Sequence, residues 1–210
     1  MRKLLAALFV LAIIVGIASV ADVYVRHRVE RDAAARIEQR VPGAHASVHI
    51  SSFPFVGRLA TSGTVPDLTA HVTGAGVAGL SFAAIDLDVK DLRVQRSSLL
   101  QGKVVVTGLR IAVVHATITQ ASLDHALGLG VTLGAGTVGL DGVEVPARLS
   151  VEGNTIRIVV AGLRTLRVPV PVLAVLPCVS AATIAPGVLQ LSCTTTTVPP
   201  ALAGTPLTTS

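Results

Sequence analysis

Six histidines (His27, His45, His49, His71, His115, His125), two cysteines (Cys178, Cys193) and an acidic set (Asp86, Asp88, Asp91) are the side chains whose types suit metal binding or acid–base chemistry. Their spacing does not gather them. His45 and His49 are four apart, but that interval makes a metal-binding face on a helix, and here it falls on a loop and a strand. Asp86 and Asp88 alternate with Ile85, Leu87 and Val89, which puts the acids on the wet side of a strand. Ser, His and Asp occur without a Gly-x-Ser-x-Gly elbow, and there is no P-loop, no Cys-x-x-Cys and no His-Glu-x-x-His. The expectation is a protein that is not an enzyme, with no catalytic residue, no metal and no cofactor.

The cysteines sit near the two ends of the last hairpin of the chain. They read either as a cross-strand disulfide closing about 15 residues, worth about 3 kcal/mol, or as two buried thiols. Without His or acidic neighbours they make a poor zinc site. A secretion-type N-terminus favours the bridge.

The remaining distinctive residues are apolar. Of four phenylalanines, Phe53, Phe55 and Phe82 fall in one stretch from Ser47 to Val94, with Phe9 elsewhere. Phe53 and Phe55 flank Pro54, and Arg58 and Leu59 follow. These residues suit ordinary core packing, or the lip of an apolar cavity that holds an acyl chain, with Arg58 meeting a phosphate. The apolar run from Val168 to Leu176 has a similar pair of readings, a buried edge or a loop touching membrane.

Several elements must position these residues. Asp22 to Val41 reads as a helix, with Asp22 as N-cap, Val25, Val29, Ala33, Ile37 and Val41 as an apolar stripe, and Pro42-Gly43 as the stop. It is expected to lie on the sheet. Ser47 to Ser51 and Leu80 to Val94 alternate as strands with one dry face. Further strands are expected at Val104 to Val106 and Leu109 to Thr117, then a short helix from Thr119 to Leu127 with Thr119 or Ser122 as its cap and Gly128 as its stop. Thr137 to Leu140 meets Val143 to Val151 across Asp141-Gly142, Thr155 to Leu163 follows, and Cys178 to Ala185 turns into Val188 to Cys193. The class is α+β, mostly β: a long curved antiparallel sheet partly wrapped around an amphipathic helix.

Composition narrows the functions. Hydrophobic residues make up 51% and charged ones 14%, so a sizeable core can form. Aromatics are 2% with no Trp, which speaks against nucleic-acid stacking platforms despite a net charge of +5. Much of that charge lies beside an uncharged run, Leu4 to Ala21, about 27 Å long as a helix. It reads as a signal anchor with a membrane-spanning helix, or as a signal peptide cleaved after Ala21. Arginines after the run favour a cytoplasmic body by charge counting. The interleaved acids, the cysteines and the Thr/Pro-rich tail from Thr194 to Ser210 point outside instead. The expected organisation is 1–21 signal segment, 22–193 α+β domain and 194–210 disordered tail, in an extracytoplasmic protein attached to a membrane or secreted.

With these elements in place, the layout resembles the LmeA-like family of actinobacterial cell-envelope proteins. The resemblance rests on the Arg-rich helix, on Ser52-Phe53-Pro54-Phe55 with Leu59 after it, on the run to Leu92-Arg93-Val94, and on Ala116-Thr117-Ile118-Thr119 leading into Leu123 to Leu127. It spans roughly residues 22 to 193 and implies a periplasmic phospholipid-binding protein, with phosphoinositide-type lipids among the ligands. It also implies a role in lipoglycan synthesis or envelope maintenance. The Gly- and Ala-rich segment 128–140 and the cysteine pair depart from the family pattern. The alternative is a non-enzymatic structural or adaptor protein of the envelope with a fully packed β core and envelope protein partners.

Overall fold

A computed structural model describes residues 2–41, 43–77, 79–99, 105–140, 143–152, 155–160, 165–169 and 179–198. The chain opens on one helix, α1 (Arg2–Arg40), followed by β1 (His45–Ile50), α2 (Phe55–Ser62), β2 (Thr64–Thr73), β3 (Gly76–Val77) and β4 (Leu80–Val94). Next come α3 (Arg96–Leu99), β5 (Val106–Gly108), β6 (Ile111–Thr119), α4 (Gln120–Leu127), β7 (Val131–Leu133) and β8 (Thr137–Leu140). The chain ends in β9 (Val143–Glu152), β10 (Thr155–Val160), β11 (Thr165–Pro169), β12 (Val179–Ala185) and β13 (Val188–Thr195).

The strands form two sheets rather than the single long one expected. An eight-stranded sheet runs β1-β2-β4-β6-β13-β12, with β3 and β5 also on β4, and a five-stranded sheet runs β11-β10-β9-β8-β7. The pairings are antiparallel. The second sheet covers much of the dry face of the first. Leu80, Phe82, Ile118, Leu189 and Leu191 meet Val138, Ile156, Ile158, Leu166 and Val168 in one core. Fully buried side chains such as Ile118, Ile156 and Leu189 contribute about 2 kcal/mol each through lost apolar surface.

Strand β4 reaches both cores, with Leu80, Phe82 and Ile85 at the larger and Leu92 at the smaller, and it carries a bulge. Its register on β6 shifts between Phe82 and Ala84. An extra residue there exchanges the two faces, so the buried set passes from Leu80 and Phe82 to Val89 without breaking the dry side. The smaller core gathers Ile50, Phe55 and Val65, with Leu59, Leu68 and Leu92 packed against it.

Local signals set the short helices. Thr119 caps α4 by accepting from Ser122 N–H, and Gly128 closes it in the left-handed region. At the end of α2, Gly63 has φ +65, and a Cβ there would lie 2.7 Å from the Val94 carbonyl oxygen. That close approach lets Val94 N–H donate to Gly63 O at 2.7 Å, joining α2 to the far end of β4.

Four expectations change. The helix does not begin at Asp22; it runs unbroken through the apolar segment, so Asp22 is internal and does not cap it. It lies along the edge of the sheet beside β1 rather than on a face, so Val25 and Val29 stay 39% and 40% exposed. From Asp22 onward it carries charge on most turns, and among the described residues no helix is long and apolar enough to cross a membrane. The membrane-spanning helix expected over Leu4 to Ala21 is therefore not seen as such. Lastly, β13 extends to Thr195, two residues into the stretch expected as tail. Residues 199–210, 170–177 and Cys178 lie outside the described residues, as do Asp141 and Gly142 of the expected hairpin turn. Within view, β11 is an edge strand, and Pro169 pairs there opposite Thr155.

Candidate functional site

Helix α1 meets β1 through carboxylates. An edge strand turns every second N–H outward with no ladder partner. Ala46 N–H donates to Glu38 Oε1 at 2.9 Å and Ile50 N–H to Glu30 Oε1 at 2.8 Å. Eight residues earlier, Asp22 receives Phe55 N–H on Oδ2 at 2.8 Å and Val56 N–H on Oδ1 at 2.6 Å. Those are the first N–H groups of α2, whose N-cap residue, Pro54, makes no side-chain cap bond. Asp22 thus does the work of a capping residue from a distance in sequence. The row is Asp22, Arg26, Glu30, Ala34, Glu38, four apart and so on one helical face. Glu30 is buried and also faces Arg26 Nε at 3.9 Å, His27 Nδ1 at 2.9 Å and His49 Nδ1 at 3.4 Å.

Between the helix and the strand an open groove encloses about 790 Å³. Val20, Val23, Tyr24, Ala34 and Val48 give it apolar walls, and His27, Glu30 and Arg31 its polar side. A second hollow of about 610 Å³ continues toward Gly16 and Ile17 and shares Val20 and Tyr24 with the first. Ile17, Val20 and Tyr24 are 66%, 72% and 60% exposed, so a large apolar surface stands open beside the groove.

The side chains singled out in the sequence are not brought together. Phe55 is buried in the smaller core with Leu59 against it. Phe82 is buried in the larger core. Phe53 is 59% exposed beside Val56, and Arg58 is exposed on α2. Cys193 is buried on β13, and its expected partner lies outside the described residues. The groove is not among the sequence expectations. The signal that points to it is the eight-residue recurrence Asp22, Glu30, Glu38 within a helix otherwise rich in arginine.

The wet face of the sheet carries a polar row. His71, Asp86 and His115 stand opposite one another on β2, β4 and β6, with His71 Nδ1 at 2.5 Å from Asp86 Oδ1. Among the described residues no group of His, Cys, Asp and Glu could hold a metal ion. Further along, Lys90 Nζ lies 2.7 Å from Asp67 Oδ2 and 3.3 Å from Asp88 Oδ1. The hydrogen bond to Asp67 does most to hold the Lys90 ammonium above its ordinary pKa of 10.5; partial desolvation opposes it and Asp88 adds to it. The acids of β4 thus pair with His71, Lys90 and Arg110, and Asp86 and Asp88 lie on the wet side as their alternation predicts.

No curated protein and no solved structure matches the chain. The family model described as LmeA-like phospholipid-binding matches residues 20–199. That span takes in the carboxylate row, both sheets and the groove's lining from Val20 onward. The chain therefore belongs to the LmeA-like phospholipid-binding family.

Proposed function

We propose that this protein holds phospholipid outside the cytoplasm, at the cell envelope, by seating acyl chains in the groove between α1 and β1. The observation that carries the reading is the groove itself, an apolar trough within the roughly 300–1,000 Å³ range of ligand sites, in a chain of a phospholipid-binding family. Each methylene removed from water there contributes about 0.8 kcal/mol. The reading keeps residues 1–21 in the mature protein, because Ser19 and Val20 line the groove on the same unbroken helix that carries Asp22. Envelope maintenance, including lipoglycan synthesis, is the cellular role that suits such a carrier.

Native mass spectrometry of the protein purified from its host tests this, with the bound lipid extracted and identified. Wild type is expected to retain or exchange phospholipid. Val20→Asp with Tyr24→Asp, both at exposed positions, is expected to fold normally and lose the lipid. Retention of the same lipid by that double variant would exclude the groove, and absence of lipid from wild type would exclude the function. Intact mass also reports the mature N-terminus, and a chain beginning at Asp22 would refute the retention of residues 1–21.

A second reading, a non-enzymatic structural or adaptor protein of the envelope, draws on the larger core. There the five-stranded sheet closes over Leu80, Phe82 and Ile118 and leaves those positions fully packed. It expects crosslinking to a single envelope protein in the absence of bound lipid.

A further inference from the structure

The row on α1 has a gap. Glu30 and Glu38 each accept an outward N–H of β1, but the position midway between them is Ala34. On β1 the residue midway between their partners Ile50 and Ala46 is Val48. Antiparallel pairing with β2 turns alternate residues the same way. Since Ala46 and Ile50 direct their N–H groups at α1, Val48 does so too. Its N–H therefore meets Ala34, which offers no acceptor, and both residues line the groove. A partly buried N–H without an acceptor is costly, so this is where a ligand atom that accepts a hydrogen bond gains most.

The chemistry of the surroundings selects that atom. Two carboxylates, Glu30 and Glu38, stand on either side along the helix, which disfavours an anionic oxygen at this point. A neutral acceptor suits it. The groove runs from here past Arg31 and His27 to Val20, Val23 and Tyr24, ending in apolar surface. We propose that Val48 N–H donates to an acyl-ester carbonyl of a bound glycerophospholipid, with the acyl chain laid along Val20, Val23 and Tyr24 and the phosphate turned toward Arg31. This rests on the groove being the lipid site, and it adds how the lipid is oriented and which bond fixes it.

The test compares ester-linked with ether-linked phosphatidylglycerol of the same chain length, both in detergent micelles, against full-length protein. The ether analogue keeps the headgroup and tails and lacks the carbonyl. Wild type is expected to bind the ester lipid about fivefold more tightly, the size of one neutral hydrogen bond. A backbone variant with the Val48 N–H replaced by an ester oxygen is expected to bind both lipids alike, at the strength of the ether lipid on wild type. Ala34→Gln, which supplies an acceptor to Val48 from the helix, is expected to erase the preference as well, and it is made by ordinary mutagenesis if the ester variant fails to fold. Equal binding of the two lipids by wild type overturns the proposal while leaving the groove as the site. Binding of neither lipid to wild type, or binding unaffected by Val20→Asp with Tyr24→Asp, overturns the groove reading itself.

Discussion

Asp22 gives the sharpest check on how the helix, the strand edge and α2 are joined. It is 5% exposed and accepts two N–H groups at the start of α2. Pro54 gives that helix end no side-chain acceptor, so Asp22→Ala strips both N–H groups of their partner at once. Hydrogen bonds to a charged group are worth about 1.5–3 kcal/mol each. The two share one carboxylate, and partial hydration of Val56 N–H recovers some of the loss. The expected destabilisation is about 3 kcal/mol, more than the ~1 kcal/mol of an ordinary N-cap. For a domain of this size that is a fall in melting temperature of roughly 6–12 °C. Asp22→Asn keeps one acceptor oxygen and turns an NH2 group toward the second N–H, so it should lose about half as much. Asp32→Ala, at an exposed position on the same helix, serves as the control and should change stability by less than about 0.5 kcal/mol. Urea unfolding followed by circular dichroism measures all three, with the slope of the transition expected to stay constant. An Asp22→Ala protein as stable as the control would refute the capping role and, with it, the carboxylate seam.

Four further outcomes are expected. Ser122 is buried, accepts Ser81 N–H at 2.8 Å and donates to Ser81 O at 2.7 Å; Ser122→Ala should cost about 1–3 kcal/mol in urea melts by orphaning both groups. Gly63→Ala should cost a similar amount, about 1–3 kcal/mol, because its φ of +65 and the nearby Val94 oxygen both oppose a side chain. The raised pKa of Lys90 means its contribution is complete below the ordinary 10.5 and is lost as pH rises through the raised value; Asp67→Asn should move the Lys90 titration, followed by NMR, down toward 10.5. Peptide mapping without reductant should recover Cys178 and Cys193 as one linked fragment, a loop closure worth about 3 kcal/mol.

Much of the fold was legible because it depends on local signals. The hairpin of β8 and β9, the hairpin of β12 and β13, and α4 with Thr119 and Gly128 at its ends stand where turn and cap residues place them. Two features were not legible, for one reason: each depends on what an element meets rather than on what it is. The stripe Val25, Val29, Ala33, Ile37 has the spacing of a helix packed on a sheet face, yet α1 meets a strand edge, where N–H groups rather than side chains form the surface. The division into two sheets is likewise silent in the alternation of β9 and β10, because the pattern fixes which side is dry and not which sheet lies across it. The candidate site shared this fate. Phe55, Leu59 and Phe82 were chosen as bulky apolar residues, and bulky apolar residues are what cores take first.

The seam also explains why an open groove can persist beside the sheet. A bare edge strand invites pairing with another chain, and covering it with a further strand would close the space. A helix bearing acceptors at Glu30 and Glu38 satisfies alternate outward N–H groups point by point, with no continuous ladder, while Asp22 holds the start of α2. Between those points the distance from helix backbone to strand is set by side-chain length, about two methylenes at Glu30 and Glu38. At Ala34 nothing fills it. The groove is thus what remains when long side chains hold a helix off an edge and a short one stands between them. Lengthening residue 34 should narrow it without loosening the seam.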